Sequence, residues 1–205
     1  VAYIPFIGTP QDRTVHNIDS STHNISFNTY IRVPNDIIFS ENGDLYVSDS
    51  FQGAVFKIDD VANCESACVI STIVHDSLLA TAGFPSFGAN GLALNNNETE
   101  LFIANTGDDR ILKFDMKKNG TLSVFTESIN GVDGIVFDKN GNLWVTANQS
   151  DNIIALNPKG SIIAKLGDFL GIRNNGSARG LLFPASLEII GSHIFVTNMA
   201  QVATP

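Results

Sequence analysis

Three polar residues stand at corresponding places in a repeated segment, and their oxygen atoms are suited to holding a metal ion. Asn35, Asn90 and Asp133 each come directly before a short apolar stretch, and in a weaker fourth copy this place falls on either Ala185 or Ser186. Carboxylate and amide oxygens favour a hard cation, most naturally Ca²⁺, or another divalent cation such as Mg²⁺, Mn²⁺ or Zn²⁺. The same residues could instead cap the turns that enter each strand. We favour a metal site, because the place is polar in three copies while its neighbours are apolar.

The elements that must position these residues are four copies of one segment, which begin near residues 34, 89, 132 and 184. The third copy reads VDGIVFDKNGNLWVTANQSDNIIALNP, and its apolar residues alternate with polar ones, as a half-buried strand requires. Asn140-Gly141 supplies the positive φ that a tight hairpin turn needs. The pattern predicts an antiparallel blade of four strands, over residues 134–137, 143–147, 152–156 and 161–166.

Short strands and tight turns that repeat in this way indicate an all-β fold, a β-propeller of four-stranded antiparallel blades. A blade with its linker takes roughly 50 residues, so residues 1–205 predict about four blades in a single domain. Either part of the natural chain is absent from this sequence, or residues 1–33 complete the last blade. A solenoid of stacked sheets is the less favoured alternative. In a propeller the inner strands start around a central channel, which would bring Asn35, Asn90 and Asp133 together.

The segments PNDI, ANGLAL and VDGIVFDKNGNLWV resemble the regucalcin/gluconolactonase family (the senescence-marker-protein and luciferin-regenerating-enzyme group), and more loosely the paraoxonases and the strictosidine synthase-like proteins. The resemblance implies a six-bladed propeller with a divalent cation in its channel, and a lactone or related small ester as substrate. It also implies that Asn90 and Asp133 are metal ligands, that Asn35 binds the metal or the substrate, and that Ser186 is a further polar ligand. Asp133 further resembles the carboxylate that acts as general base.

His75 is a second catalytic candidate. It falls in the long linker 62–87, in a loop from which it could reach the mouth of the channel, and the resemblance to paraoxonases implies a histidine base. A lone histidine in a loop is more often only solvated. The acidic pair Asp108-Asp109 is predicted to be a solvated hairpin turn, and Trp144 is predicted to pack between blades.

A binding protein without catalysis is the alternative function. The family's first-blade glutamate, expected in a G-E-[GS]-P-like motif, has no match in residues 1–33. This leaves open a propeller that resembles NHL-type domains and binds a ligand or a protein on its loops. A strictosidine synthase-like enzyme is a third and less favoured possibility.

The net charge of the chain and its two cysteines indicate which classes of partner and which cellular location to expect. A net charge of −9 argues against nucleic acid, which normally binds a basic face, and the apolar runs are too short for a membrane span. Cys64 and Cys68 form either a small disulfide loop or two free thiols. These cysteines and several N-glycosylation sequons favour a secreted or periplasmic protein over a cytoplasmic one, while the oligomeric state stays open. The sequons lie at Asn24, Asn97, Asn119, Asn148 and Asn175.

Overall fold

The computed structural model describes residues 4–7, 13–16, 22–25, 31–64, 68–117 and 120–200. Strands make up almost all of the regular structure in these ranges. The helical segments among them are short 3₁₀ turns, at Val61–Asn63, Ser77–Leu79 and Asn148–Ser150. In the described part of the chain, no helix is long and apolar enough to cross a membrane.

Three sheets of four strands carry the fold, and in each sheet the strands lie side by side in chain order. A short hairpin of β1 (Arg13–His16) and β2 (Thr22–Ile25) precedes them. The first blade consists of β3 (Pro34–Phe39), β4 (Leu45–Asp49), β5 (Ala54–Ile58) and β6 (Ile70–His75). The second consists of β7 (Ala89–Leu94), β8 (Glu100–Asn105), β9 (Arg110–Asp115) and β10 (Thr121–Glu127). The third consists of β11 (Val132–Phe137), β12 (Leu143–Ala147), β13 (Asn152–Leu156) and β14 (Ile162–Leu166).

Two hairpins follow the third blade. The first pairs β15 (Phe169–Ile172) with β16 (Ala178–Gly180), and the second pairs β17 (Pro184–Ile190) with β18 (His193–Asn198). The fourth sequence copy is therefore a two-stranded hairpin within the described residues. Together with the antiparallel pairing of the blades, these elements confirm the predicted all-β propeller class.

The chain divides into two compact units. The first unit contains Val1–Asn90 and Asn105–Asp108, and the second contains Gly91–Ala104 and Asp109–Pro205. The first blade belongs to the first unit, whereas the third blade and the hairpin of β17 and β18 belong to the second. The prediction of a single domain over residues 1–205 stays a prediction.

The third blade lies almost where its sequence places it, since the predicted and observed strands differ by at most two residues at any end. The expectation of half-buried strands is wrong for the middle of the blades. All five residues of β13 are buried, as are four of the five in β5. A strand buried on both faces carries consecutive apolar residues, which explains the runs IIAL and AVF.

Both long linkers contain strands that the sequence pattern did not predict. The linker 62–87 contains β6, so His75 is the last residue of an outer strand and not a loop residue. The segment 167–183 contains the hairpin of β15 and β16. The disulfide alternative for Cys64 and Cys68 is confirmed, because their sulfur atoms are bonded and their Cα atoms lie 5.5 Å apart.

A bulge interrupts the inner strand at the start of the first blade, the third blade and the last hairpin. The pairing register shifts between Pro34 and Ile37 and between Val132 and Ile135. In β17 it shifts between Pro184 and Ser186. A bulge leaves residues unpaired and redirects their side chains, and such bulges are frequent beside functional sites. Asn35 and Asp133 lie in the bulges of the first and third blades, and Ala185 lies in that of the last hairpin.

The core of the second unit lies between the second and third blades. Phe102 of β8 meets Phe125 of β10 and Phe137 of β11 edge to face, each with ring centroids 4.9 Å apart. Edge-to-face pairs of this kind add to the stabilisation that comes from burial. The buried residues of this core are Ala93, Phe102, Ala104, Ile111, Ile129, Val132, Ile135, Leu143, Val145, Ala147, Ile154 and Leu156.

Candidate functional site

Four residues lie at the start of inner strands, two in each of the two units; we call them the strand-start residues, Asn35, Asn90, Asp133 and Ala185. In the first unit the amide of Asn35 is held by Ser50, which follows β4. Asn35 Nδ2 donates to Ser50 Oγ at 2.9 Å, and Ser50 Oγ donates to the carbonyl oxygen of Ala89 at 2.7 Å. The hydroxyl of Ser50 therefore joins Asn35 to the backbone directly before Asn90.

Asn90 is held in the same way. It is buried, and its Nδ2 donates to Thr106 Oγ1 at 2.8 Å. Thr106 follows β8 just as Ser50 follows β4. Because Nδ2 is engaged by a hydroxyl in both asparagines, Oδ1 is the acceptor atom that each side chain presents.

Asp133 has an amide partner in place of a hydroxyl. Asn148 Nδ2 donates to Asp133 Oδ2 and to the carbonyl oxygen of Pro184, both at 3.4 Å. Pro184 precedes the strand-start residue of the last hairpin, as Ala89 precedes Asn90. Ser50 and Asn148 thus make the same bridge in the two units, from a strand-start residue to the backbone of the next copy.

The pattern that predicts the strand-start residues does not by itself reveal these bridging residues. The signal that reveals them is a constant offset, since Ser50 and Asn148 each follow their strand-start residue by 15 positions and Thr106 follows Asn90 by 16. All three are polar, and each comes directly after the last residue of the second strand of its blade. A polar residue repeated at that offset is the pattern to search for.

The glycines that follow two strand-start residues are explained by close packing within the second unit. A Cβ atom on Gly91 would collide with the carbonyl oxygen of Asp133. A Cβ atom on Gly134 would lie 2.7 Å from Ser186 Cα and 2.8 Å from the carbonyl oxygen of Ala185. The Asn-Gly and Asp-Gly pairs of the sequence motif therefore combine a polar side chain with a backbone that tolerates no side chain.

The strand register identifies which residue of the last hairpin corresponds to Asp133. Pro184 pairs with Asn198 and Leu187 with Val196, just as Val132 pairs with Ala147 and Ile135 with Val145. Ala185 therefore occupies the place of Asp133, and Ser186 occupies that of Gly134. Ser186 is exposed, and its backbone N–H donates to Thr197 Oγ1 at 3.0 Å. A metal-binding role for Ser186 stays a prediction without support from the register.

His75 lies at the correct edge of the first blade but on the wrong strand for direct contact with Asn35. The pairing of β3 to β6 places Pro34, Asp49, Ala54 and His75 in one row across the sheet. Three strand spacings separate the ends of that row, which corresponds to about 14 Å. His75 is exposed there. This geometry gives no support to its predicted role as a base.

The acidic pair after β8 is structural, in contrast to the predicted solvated turn. Asp108 accepts a hydrogen bond from Thr81 Oγ1, and its own N–H donates to Asn105 Oδ1. Asp109 has a left-handed backbone, with φ of 55°, and its Oδ1 accepts from the N–H of Gly131 at 2.7 Å. Trp144 donates through Nε1 to Asp138 Oδ2 at 3.1 Å, so it anchors a turn as well as filling space.

Two carboxylates with lowered pKa values, Asp138 and Asp44, lie in the hairpin turns beyond the far ends of the inner strands β11 and β3 from the strand-start residues. Burial opposes ionisation of Asp138, but hydrogen bonds from Asn142, Trp144 and Asn140 hold its pKa below the ordinary value. The Lys57 ammonium, 2.6 Å away, lowers the pKa of Asp44. These groups stabilise hairpin turns, and their shifts are no sign of catalysis.

The donor chemistry of the strand-start residues fits an oxygen-liganded cation. Asn35 and Asn90 each present an amide oxygen whose orientation is set by a hydroxyl, and Asp133 provides one carboxylate. Among the described residues, no group of three His, Cys, Asp or Glu side chains could hold a metal ion. A thiolate or histidine site therefore has no support there. Asn35 and Asn90 belong to the first unit and Asp133 to the second, and their convergence on one cation stays a prediction.

A family model for the SMP-30/gluconolactonase/LRE-like region matches residues 34–167, which is well over half of the chain. The chain belongs to this family. Residues Asn35, Asn90 and Asp133 all lie within the matched region.

Two curated relatives carry the resemblance in sequence. The chain is 32% identical over 136 residues to the adipocyte plasma membrane-associated protein Hemomucin of Drosophila melanogaster, a match that covers 61% of this chain and 22% of that protein. It is 30% identical over 86 residues to the lactonase drp35 of Staphylococcus saprophyticus, covering 38% of this chain and 26% of that protein. The chain thus spans only 22% and 26% of these relatives.

Solved structures of the family share the fold. A gluconolactonase from Xanthomonas campestris superposes with a TM-score of 0.59 at 15% identity, covering 91% of this chain and 62% of that one. The calcium-binding protein regucalcin from Agrobacterium tumefaciens gives a TM-score of 0.58 at 15% identity, covering 80% of this chain and 52% of that one. At such identities the similarity shows the fold alone.

Proposed function

We propose that the protein is a divalent-cation-dependent hydrolase of lactones or small esters. The family and its lactonase relative support this class of reaction. The observation that carries the proposal is the fixed orientation of the strand-start side chains. Asn35 and Asn90 each have Nδ2 bound to a hydroxyl, so that each presents its Oδ1. Side chains that serve only as turn caps have no need of a second residue, 15 or 16 positions away, to orient them.

In this proposal Asn35, Asn90 and Asp133 hold the cation through oxygen atoms, with Ca²⁺ as the preferred ion. When bound, a divalent cation polarises the carbonyl of the substrate and stabilises the negative charge that develops on its oxygen. Asn148 steadies the carboxylate of Asp133 through its Nδ2. Two amide oxygens and one carboxylate leave room for a substrate oxygen beside the ion.

Asp133 is also the proposed acceptor of the proton from the attacking water. Water adds to the acyl carbon, the ring C–O bond breaks, and the leaving alkoxide takes up the proton, which gives a hydroxy acid. A carboxylate cannot serve at once as a tight ligand and as a free base, so one of the two roles must dominate. A secreted or periplasmic location is part of the same proposal, and the disulfide between Cys64 and Cys68 supports it.

A binding module is the second candidate, and one observation favours it. Ile162, Ile163 and Leu166 of the outer strand β14 are largely exposed, as is Leu170 of β15. Apolar residues grouped on a surface are typical of protein contacts. In this alternative the strand-start residues would be structural, and the protein would bind its partner through its surface.

Calcium-dependent thermal unfolding separates the two candidates. Ca²⁺ at 100 times its Kd stabilises a protein by about 2.7 kcal/mol, which for a chain of this size raises Tm by roughly 5–10 °C. We expect this rise after treatment with EDTA and addition of CaCl₂, and we expect Asp133→Ala to abolish it. Glu188→Ala is the matched control, because it removes an exposed carboxylate of the same unit.

Hydrolysis completes the test. Acid release from a lactone, followed at constant pH, should require Ca²⁺ and should be lost in Asp133→Ala but kept in Glu188→Ala. A wild-type melting curve that does not respond to Ca²⁺, Mg²⁺ or Mn²⁺ would argue against the metal site. Absence of hydrolysis with any lactone would leave the binding module as the better candidate.

A further inference from the structure

We propose that Phe51 and Phe87 form an apolar wall beside Asn35 and Asn90, and that the substrate carries an alkyl substituent which lies against it. This inference rests on the proposed function and names the substrate class of the same site. An alkyl-substituted lactone or ester would then be preferred over a polyhydroxylated sugar lactone.

The two phenylalanines lie at the edge of the first blade where the strand-start residues lie. Phe51 belongs to the loop 50–53 between β4 and β5, and Phe87 belongs to the loop 76–88 between β6 and β7. The register places the end of β4, the start of β5 and the end of β6 in one row with Pro34. Both loops therefore start from the edge of the sheet that carries Asn35.

The contacts bring the wall close to the strand-start side chains. The rings of Phe51 and Phe87 lie 5.9 Å apart between centroids. Ser50, which directly precedes Phe51, binds Asn35 Nδ2 through its hydroxyl and accepts the N–H of Gly88 at 3.1 Å through its carbonyl oxygen. Phe51 thus comes directly after Ser50, the residue that orients Asn35, and Phe87 comes three residues before Asn90.

Hydrogen bonds hold the two loops that carry Phe51 and Phe87 in place. Asn105 Nδ2 donates to the carbonyl oxygens of Leu78 and Ala80, at 2.8 and 3.0 Å. The N–H of Gly107 donates to the carbonyl oxygen of Phe87 at 2.9 Å. On the other loop, Asp49 Oδ1 accepts the N–H of Phe51 at 3.1 Å. Groups held in this way bind without a large loss of conformational entropy, which favours affinity for a fitting ligand.

The blade architecture does not require aromatic residues at these places. In the third copy Gln149 follows Asn148 as Phe51 follows Ser50, and Asn130 stands two residues before Val132 as Phe87 stands before Ala89. Phe87 keeps 38% of its surface exposed, so it is not a core residue. An aromatic pair that the fold does not need, at the edge of a candidate site, is best explained by a ligand.

The geometry of the pair favours an alkyl group over a sugar ring. The two ring planes are inclined by 42°, so they offer no single flat platform on which a sugar ring could stack. They do offer an apolar corner to a flexible chain. Each methylene that is fully buried adds about fourfold to affinity.

The test compares γ-lactones of increasing side-chain length with glucono-δ-lactone in the presence of Ca²⁺. For the wild type we expect kcat/KM to be about tenfold higher for γ-octalactone than for γ-valerolactone, since three partly buried methylenes are added. Phe51→Gln and Phe87→Asn install the residues of the third copy and should bring this ratio near one, mainly through KM. Phe195→Gln, at an exposed phenylalanine of the second unit, is the matched control and should keep the ratio.

The outcomes are distinct for the wall and for the proposed function. Hydrolysis that favours glucono-δ-lactone, or that does not depend on chain length, overturns the wall and leaves the hydrolase intact. If no lactone is hydrolysed, calorimetric binding of γ-octalactone decides: binding that is lost in Phe51→Gln supports the wall, and no binding overturns it. Far-UV circular dichroism spectra and Tm values of each variant identify any loss of binding or activity that comes from unfolding. If Phe51→Gln is unfolded, Phe87→Asn provides the test of the wall in its place.

Discussion

The first and third blades share one plan but differ in what covers their inner strands. Both have a four-stranded meander, a bulge at the start of the inner strand and a polar side chain in that bulge. Ile37 and Phe39 of β3 are 57% and 56% exposed. Their counterparts Ile135 and Phe137 are, respectively, buried and packed against Phe102. The bulge and its polar residue therefore form whether or not the inner strand is covered, which shows that they are properties of the blade itself.

The type of residue that comes after the strand-start residue depends instead on how closely the backbone of the next copy approaches it. In the third blade this residue is Gly134, and the backbone of Ala185 and Ser186 fills the space where its Cβ atom would be. In the first blade the same place holds Asp36, which has a Cβ atom and whose Oδ1 accepts the N–H of Ile37. Close approach of the next copy, and not the bulge, is what demands glycine.

The largest expected effect is that of Gly134→Ala. The added methyl group must push back backbone atoms of Ser186 and Ala185, which cannot move as a side chain would. Overpacking of this kind costs about 3 kcal/mol of the free energy of unfolding. Urea denaturation should show a lower midpoint with an unchanged slope. The first blade offers the comparison, since Asp36→Gly and Asp36→Ala should each change stability by less than about 1 kcal/mol.

Gly141→Ala is the control for backbone conformation alone. Gly141 has φ of 80° and open space around its would-be Cβ atom, so alanine there meets strain but no collision. We expect a loss of about 1 kcal/mol. If Gly134→Ala cost no more than Gly141→Ala, close packing would not be the reason for the Asp-Gly pair.

The outer hairpin turns make the second comparison, because a carboxylate stabilises each by a different route. Within the described residues, the donors to Asp138 of the third blade are uncharged, namely the N–H groups of Asn140 and Asn142, Asn142 Nδ2 and Trp144 Nε1. Asp44 of the first blade binds Lys57 Nζ at 2.6 Å. Burial opposes the charge of Lys57, but its hydrogen bonds to Asp44 and Asp59 raise its pKa.

We expect Asp138→Ala and Asp44→Ala each to lower the free energy of unfolding by about 2 kcal/mol at pH 7. Hydrogen bonds hold the folded pKa of both carboxyl groups below its ordinary value. The stabilisation is thus fully present above the unfolded pKa and is lost as pH falls through the lowered folded values, so the difference between the variants and the wild type should shrink as the pH is lowered from 7 to 3. Denaturation at pH 7 and at pH 3 measures this.

Salt distinguishes the two turns. In 1 M NaCl the effect of Asp44→Ala should shrink, because screening weakens its ion pair, while the effect of Asp138→Ala should persist. Asp59→Ala is the matched control, since Asp59 binds the same lysine but is mostly exposed, and it should cost less than about 0.5 kcal/mol. Equal salt dependence of Asp44→Ala and Asp138→Ala would contradict the assignment.

The sequence predicts the fold well because the local rules are strong. Asn140-Gly141 defines a hairpin, and the repeat places the strands of the third blade within two residues of their observed ends. The polar strand-start residues also follow from the repeat. The roles of Ser50 and Asn148 could not be predicted, since they depend on how a second strand aligns with the next copy. Gly134 carries a local signal, but the reason for it lies in another segment of backbone.

Two further points escaped sequence reasoning for physical reasons. Strand β6 lies within the long linker 62–87, after the Cys pair, and its polar and apolar residues alternate weakly, so the sequence pattern predicts a loop at His75. Ala185 and Ser186 are adjacent, and only the pairing of Pro184 with Asn198 determines which one matches Asp133. Side-chain pattern predicts strands, whereas register across a bulge requires the three-dimensional structure.

The smallest expected effect concerns the connection between the third and fourth strands of the two blades. In the first blade this connection spans residues 59–69 and contains the disulfide between Cys64 and Cys68. In the third blade it is a tight turn, in which Asn157 Oδ1 accepts the N–H groups of Lys159 and Ser161. The connection between the third and fourth strands is thus held by a disulfide in the first blade and by two hydrogen bonds in the third blade.

A disulfide that closes so short a loop removes little entropy from the unfolded chain, so we expect the double variant Cys64→Ser/Cys68→Ser to lose about 1 kcal/mol. Asn157→Ala should cost a similar amount, because it removes two hydrogen bonds from an exposed turn. Reducing agent should lower the Tm of the wild type and of Asn157→Ala alike, and it should leave the double variant unchanged. A reductant effect on the double variant would show that the disulfide is not the bond responsible. A loss several times larger would mean that the link orders β6 as a whole, and the two blades would then differ in how their outer strands are held.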